Sequence, residues 1–176
     1  MINLLVISDT HGYPNKIDEV IKRQLVLDEK FQPKYLIFLG DGLDDFEKSR
    51  LVSKMCVLDV RGNSNEDYFY LTTVPKDRVV DLGGYKILMM HGHSHAVKSG
   101  LGSAIGYAVE NDADILLFGH THAPVSYTLE KGHEIYGITL KKNLTVFNPG
   151  SLGYDDVFGV VTLDDSGILC SHGSLK

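Results

Sequence analysis

Ile2-Asn3-Leu4-Leu5-Val6-Ile7-Ser8-Asp9-Thr10-His11-Gly12 runs from near-continuous apolar residues straight into a polar loop. An apolar run without polar alternation suits a strand buried on both faces, as in parallel sheets covered on both sides. Beyond it, Pro14 fits the first turn of a helix. Ile17, Val20, Ile21 and Leu25 then recur at helical spacing, with Asp18, Glu19, Lys22 and Arg23 on the other faces. Pro33 closes that region. Tyr35 to Leu39 is a second apolar run, ending in Gly40-Asp41-Gly42. Phe46 to Lys54 reads as a short helix, and Cys56 to Val60 as a third apolar run, ending in Arg61-Gly62-Asn63. Strand, helix, strand, helix, strand is a βαβαβ unit built on a parallel sheet.

The second half is richer in β-structure. Arg78 to Leu82 and Lys86 to Met90 flank Gly83-Gly84, a hairpin signal. Met90 leads directly into His91-Gly92-His93. Leu101, Ala104, Ile105 and Ala108 predict a helix, and Ile115 to Phe118 opens into Gly119-His120-Thr121-His122. Further strands are expected near Val125–Leu129, Leu144–Phe147 and Val157–Leu163. The last would pair with Ile168–Cys170 across Asp164-Asp165-Ser166-Gly167. The expectation is an α/β chain with a two-layer sheet core and outer helices, residues 1–176 forming a single domain.

Length and composition bound the function. The 176 residues are 43% apolar and 23% charged, a globular composition of single-domain size. No apolar stretch approaches the roughly 20 residues that span a bilayer. The N-terminus lacks the basic and apolar regions of a signal peptide. A net charge of −6 gives no general footprint for nucleic acid. Cys56, expected in a buried strand, and Cys170 are the two cysteines. They form no disulfide framework and fit a reducing cytoplasm, the expected location.

Five apolar runs each end in side chains able to bind a metal: Asp9 with His11, Asp41, Asn63, His91, and His120 with His122. In α/β sheets the carboxyl ends of strands converge on one edge, where ligands bind. Mixed oxygen and nitrogen donors without thiolate suit Mn²⁺, Fe²⁺, Zn²⁺, Co²⁺ or Ni²⁺. Seven donors exceed the four of a structural zinc and suit two adjacent ions sharing a carboxylate. Such a pair lowers the pKa of a bridging water and neutralises phosphoryl oxygens, so that hydroxide attacks phosphorus in line.

With these motifs in hand, the sequence resembles the calcineurin-like metallophosphoesterases, and within them the small YfcE-type phosphodiesterases of bacteria and archaea. Asp9-x-His11, Gly40-Asp41, Gly62-Asn63, His91-Gly92-His93, Gly119-His120-Thr121-His122 and Asn148-Pro149-Gly150-Ser151 carry the resemblance, which spans residues 3 to about 153. It implies an αββα sandwich of two mixed sheets flanked by helices. It further implies one ion held by Asp9, His11, Asp41 and His122, and a second by Asp41, Asn63, His91 and His120, with Asp41 bridging. Two divalent ions are therefore expected as cofactors, Mn²⁺ first among them. The implied activity is a metal-dependent phosphodiesterase acting on a small-molecule phosphoester. Asn63 and His93 are read as catalytic, His93 either touching the substrate phosphate or orienting His91. Asn148 is expected to fix the loop beside the metals. The alternatives are a phosphomonoesterase or nucleotide phosphatase, and a protein-binding scaffold on the same fold. Unpaired strand edges leave a homo-oligomer open.

The sequence departs from the family where Gly-Asn-His-Asp, Gly-Asn-His-Glu or Gly-Asn-Cys-Asp is usual. Here the run is Gly62-Asn63-Ser64-Asn65. In relatives with the histidine, that side chain is thought to protonate the leaving group. Ser64 is a poor general acid at neutral pH, so activated esters are expected to be favoured. Plainer roles are expected elsewhere: His95 as an exposed or supporting residue, His133 and His172 as surface histidines, Lys98 as a solvated cation. Asp44-Asp45, Asp155-Asp156 and Asp164-Asp165 are read as solvated turns.

Overall fold

The computed structural model describes residues 1–64 and 66–176. Asn65, half of the departure noted above, lies outside them. The first half follows the sequence pattern: β1 Ile2–Ile7, α1 Pro14–Leu25, β2 Tyr35–Phe38, α2 Leu43–Lys48 and β3 Cys56–Asp59. The second half comprises β4 Asp77–Leu82, β5 Tyr85–Met90, α3 Gly102–Glu110, β6 Ile115–Phe118 and β7 Val125–Leu129. Then come β8 Glu134–Ile135, β9 Ile138–Thr139, β10 Leu144–Asn148, α4 Leu152–Asp155, β11 Val157–Asp164 and β12 Gly167–Ser174.

Two five-stranded sheets form the core, in the orders β12-β11-β1-β2-β3 and β4-β5-β6-β10-β7. In the first, β1, β2 and β3 run parallel while β11 and β12 add an antiparallel hairpin. In the second, β5, β6 and β10 run parallel between antiparallel β4 and β7. This is the expected mixed two-layer sandwich. The β8–β9 hairpin was not anticipated; two-residue strands leave too little pattern to read.

The period of two along β1 explains why its sequence is apolar throughout. Leu4 and Val6 point into the seam between the sheets, with Ile37, Leu39, Ile87, Met89, Ile115, Leu117 and Phe147. Leu5 and Ile7 point outward against Ile17, Val20 and Ile21 of α1. The second sheet mirrors this, packing Leu88, Met90, Leu116 and Phe118 against Ala104, Ile105 and Ala108 of α3. The central strands of both sheets are therefore covered on both faces, and polar chemistry is displaced to their ends.

Three expectations need correction. The helix expected over Phe46 to Lys54 begins at Leu43 and ends at Lys48, followed by a separate 3-10 turn, Val52–Lys54. Ser49 adopts extended backbone, and Asp18 on α1 collects Ser49 Oγ and the Arg50 and Leu51 N–H groups, pinning the break. Cys56 is exposed rather than buried, because β3 is an edge strand. Asp45 is fully buried rather than a solvated turn residue. Its Oδ2 accepts from Thr10 Oγ1 at 2.6 Å and from Gly12 N–H at 2.9 Å, tying α2 to the loop after β1. No helix among the described residues is long and apolar enough to cross a membrane.

Candidate metal centre

The loops after β1, β2, β3, β5 and β6 meet at one end of the sandwich. Asp9 and His11 follow β1, Asp41 follows β2, Asn63 follows β3, His91 follows β5, and His120 and His122 follow β6. Backbone bonds stitch the first loops together: Asp9 N–H donates to Gly40 O at 2.9 Å and Thr10 N–H to Asp41 O at 2.9 Å. The turns are tight. Asp9, His11, Asp41, His120 and His122 all hold positive φ, from 45° to 68°. Left-handed backbone costs a residue with a side chain about 1–3 kcal/mol, and such strain collects at functional sites.

Two groups result. Ligand-capable atoms of Asp9, His11 and His122 lie within 4.8 Å of one another, as do those of Asp41, His91 and His120. In the first, His122 Nε2 approaches Asp9 Oδ1 to 3.1 Å and His11 Nε2 approaches it to 3.7 Å. Asp9 Oδ2 is committed elsewhere, accepting from Ser8 Oγ at 2.5 Å and His120 N–H at 3.0 Å. Oδ1 is buried with no aligned hydrogen bond. In the second group, Asp41 Oδ1 is fixed by the N–H groups of Asn63 at 2.7 Å and Ser64 at 2.8 Å. Its Oδ2 stands between the groups, 3.4 Å from His91 Nε2 and 3.9 Å from His11 Nε2. His91 Nδ1 meets Leu39 O at 2.7 Å, a contact that requires a proton on Nδ1, so the neutral ring keeps its lone pair on Nε2.

The donor set fits metal. His91 Nε2 and His120 Nδ1 face each other at 3.0 Å, and His11 Nε2 and His122 Nε2 at 3.3 Å. Each pair has one proton position or a shared cation to satisfy it. The orphaned, buried Asp9 Oδ1 points to the same need for a cation.

Mutual fields set the protonation. Burial works to raise the Asp9 carboxyl, but His11, His122, His91 and the Ser8 hydroxyl outweigh it and hold it far below the usual range. Asp41 likewise resists its burial and sits at about 2, through His91 and the Ser64 N–H. The Asp9 carboxylate, 3.7 Å away, raises His11. Burial opposes charge on His91, yet Asp41 and Asp9 raise it. His120 is pushed down to about 4 by burial, by His91 and by Lys98.

A match to the model of the calcineurin-like phosphoesterase superfamily domain covers residues 2–166. The chain belongs to that superfamily. This phosphoesterase is 26% identical over 173 residues to the probable metallophosphoesterase YsnB of Bacillus subtilis, covering 93% of this chain and 86% of that protein. It is 25% identical over 195 residues to phosphodiesterase YfcE of Escherichia coli, covering 96% of each. A "predicted phosphoesterase" from Streptococcus pneumoniae superposes with a TM-score of 0.72 at 24% identity, over 98% of this chain and 89% of that one. The YfcE-type resemblance agrees with these relatives.

The other residues singled out from sequence sort into several roles in this phosphoesterase. Asn63 reaches the centre through its backbone N–H on Asp41. His93 lies beside the second group, its ring centroid 5.5 Å from His91 and 6.3 Å from His120. Burial and the His91 charge lower its pKa. Its Nδ1 is buried and has no partner among the described residues. His95 turns away, stacking on Tyr107 at 4.8 Å with Nε2 3.5 Å from Asp77. Asn148 does fix the neighbouring loop, donating to Gly119 O and Thr121 Oγ1 while its Oδ1 accepts from Gly150 N–H. His172 is not merely a surface residue, since its Nε2 meets Asn148 O at 2.8 Å and its ring stacks on Phe147.

Three residues escaped the sequence reading. Asp67, fully buried, accepts four backbone N–H groups: Asp41 at 2.8 Å, Gly62 at 2.6 Å, Gly42 at 2.8 Å and Leu43 at 2.9 Å. It lies two positions beyond Asn65, where the family pattern carries an acid. Gly62 serves the same junction, because a Cβ there would collide with Asp41 Oδ1. Tyr154 on α4 stacks on His11 at 4.8 Å and 17°. Arg61, whose charge bears on His93, has its Nε buried without a partner among the described residues.

Proposed function

We propose that this chain is a divalent-metal-dependent phosphodiesterase working at a dinuclear centre. The observation that carries the reading is the position of Asp41 Oδ2, 3.4 Å from His91 Nε2 of its own group and 3.9 Å from His11 Nε2 of the other. In this reading Asp9, His11, Asp41 and His122 hold one ion, and Asp41, Asn63, His91 and His120 the other. When bound, two divalent ions supply Lewis acidity to phosphoryl oxygens and a water of lowered pKa.

The chain's own residues do the rest. Asp67 fixes the backbone of the Asp41 and Gly62 turns, and the Asn63 and Ser64 N–H groups fix the Asp41 carboxylate. Leu39 O sets the His91 tautomer, which leaves Nε2 free to act as a ligand. In this reading His93, whose basicity is lowered by its burial, donates a ring N–H to a phosphoryl oxygen. Ser64 lacks the acidity to protonate a departing alkoxide, which favours esters whose leaving group departs as a stable anion. Among the family's chemistries, the 25% identity to a phosphodiesterase along 96% of both chains supports diesters over monoesters.

The test is hydrolysis of bis-p-nitrophenyl phosphate and p-nitrophenyl phosphate by chelated protein reloaded with Mn²⁺, Zn²⁺, Co²⁺ or Ni²⁺. Diester hydrolysis restored by metal, Mn²⁺ among the better ions, is expected. Preference for the monoester, or full turnover in protein free of metal by elemental analysis, would refute the reading.

A further inference from the structure

A cleft of about 400 Å³ opens beside the candidate centre on its His11 side. His11 forms part of its wall, so an ester held at the centre has an arm's reach of this space. The rest of the wall is chemically uneven. Tyr154 lays its ring on His11 yet remains 57% exposed. Asp44 and Glu66 contribute two carboxylates, against the single ammonium of Lys48. That ammonium is already engaged by Asp44 at 2.7 Å. Arg61 and Lys76 bring positive charge near His93, and Lys98 near His120; none of the three lines this cleft.

We propose that this cleft receives one organic arm of the phosphodiester and selects an arm with a cationic ammonium head over a neutral arm of the same shape. The inference rests on the phosphoesterase reading. Two interactions give the preference. An ammonium group over a tyrosine ring is attracted by the ring quadrupole, more strongly as water is excluded. The excess carboxylate on the rim adds a field that favours cations and is screened by salt. An arm bearing further phosphate would meet repulsion here, whereas Arg61, outside the cleft, offers negative charge a counterion.

Choline and 3,3-dimethylbutanol have the same shape and differ by one charge, so their p-nitrophenyl phosphodiesters isolate the effect without changing the leaving group. In the metal-loaded protein kcat/KM for the choline ester should exceed that for its neutral isostere by about 3- to 10-fold at low salt. Asp44→Asn with Glu66→Gln should bring the ratio towards one, and Glu66→Lys should invert it. Tyr154→Ala should lower the choline ester more than the isostere. A second measurement does not depend on turnover: amide NMR shifts of the Zn²⁺-loaded protein titrated with phosphocholine and with 3,3-dimethylbutyl phosphate. Shifts at Gly12, Gly42, Glu66 and Tyr154 should saturate at lower phosphocholine concentration. Equal kinetics and equal binding for the two probes would overturn the inference while leaving the phosphoesterase reading intact. Selective phosphocholine binding without any hydrolysis would uphold the cleft and sink the activity.

Discussion

His91 Nε2 and His120 Nδ1 stand 3.0 Å apart, and the Leu39 carbonyl holds the proton of His91 on its far nitrogen. Without a cation, one proton must lie between the two rings. The raised His91 and the lowered His120 say that the proton belongs to His91. Metal must displace it, so metal uptake and proton release are coupled.

That coupling predicts opposite pH trends for the two forms of the protein. His11 and His91 are raised above 6.5 in the folded chain. The stability they contribute is complete below pH 6.5 and fades as pH rises through their folded values. The chelated protein should therefore lose this increment in the window that opens at about pH 6.5, read as a falling midpoint of thermal unfolding. With Mn²⁺ the trend should reverse, because deprotonated histidines bind the ion more tightly. A chelated protein whose midpoint rises across that window would contradict the assignment.

Asp41→Ala should be the most damaging single ligand change. It removes a carboxylate oxygen that faces both groups and leaves the Asn63 and Ser64 N–H groups without their acceptor. Activity should fall by more than the roughly 100-fold upper reach of supporting-residue changes. Asp9→Ala should spare the His91–His120 group in part. Elemental analysis decides: two ions retained per chain in Asp41→Ala would remove Asp41 from the bridging role.

Asp67→Ala should act through stability rather than chemistry. Four buried N–H groups lose their acceptor, and each unsatisfied donor costs about 1–3 kcal/mol before relaxation and water entry. A net loss of about 3–5 kcal/mol is expected in urea unfolding. Asp67→Asn keeps one acceptor oxygen and should lie between. A change below about 0.5 kcal/mol for the alanine variant would show that these contacts are dispensable.

Ser64→His should help poor leaving groups selectively. General acid catalysis is worth about 10²–10⁴-fold, and alkyl esters need it more than p-nitrophenyl esters. The substitution has a structural cost, since Ser64 Oγ accepts from Asp67 N–H at 3.2 Å. About 1 kcal/mol of stability should be lost with that hydrogen bond. An equal change in rate for alkyl and aryl diesters, with both ions bound, would place the side chain away from the departing oxygen.

Much of this architecture was legible because burial writes itself into composition. β1, β2 and β6 read as unbroken apolar runs since each is covered on both faces. The donors after them were visible because a polar residue following such a run has nowhere to go but the sheet end. Asp67 was not legible: three of its four partners are backbone groups of Asp41, Gly42 and Leu43, more than twenty residues upstream, and backbone leaves no sequence mark. Asp45 was misread because an acidic pair near a helix start usually faces water, and its burial depends on Thr10 of a different loop. The exposure of Cys56 follows from the position of β3 at the sheet edge, which local pattern does not encode. Tyr154 looked like any aromatic residue in a turn. Only the docking of its segment, through Leu152 N–H on Ser8 O and Gly153 N–H on Asp9 O, brings it over His11.

Each three-residue group draws on both layers of the sandwich. Asp9 and His11 come from the sheet containing β1, while His122 follows β6 of the other; Asp41 follows β2, while His91 and His120 follow β5 and β6. Neither sheet alone assembles a complete group. A folding intermediate with one layer formed and the other open thus offers an incoming ion no more than a fragment of its coordination shell. Loading becomes a proofreading step: the chain acquires its reactive centre only after the seam has closed.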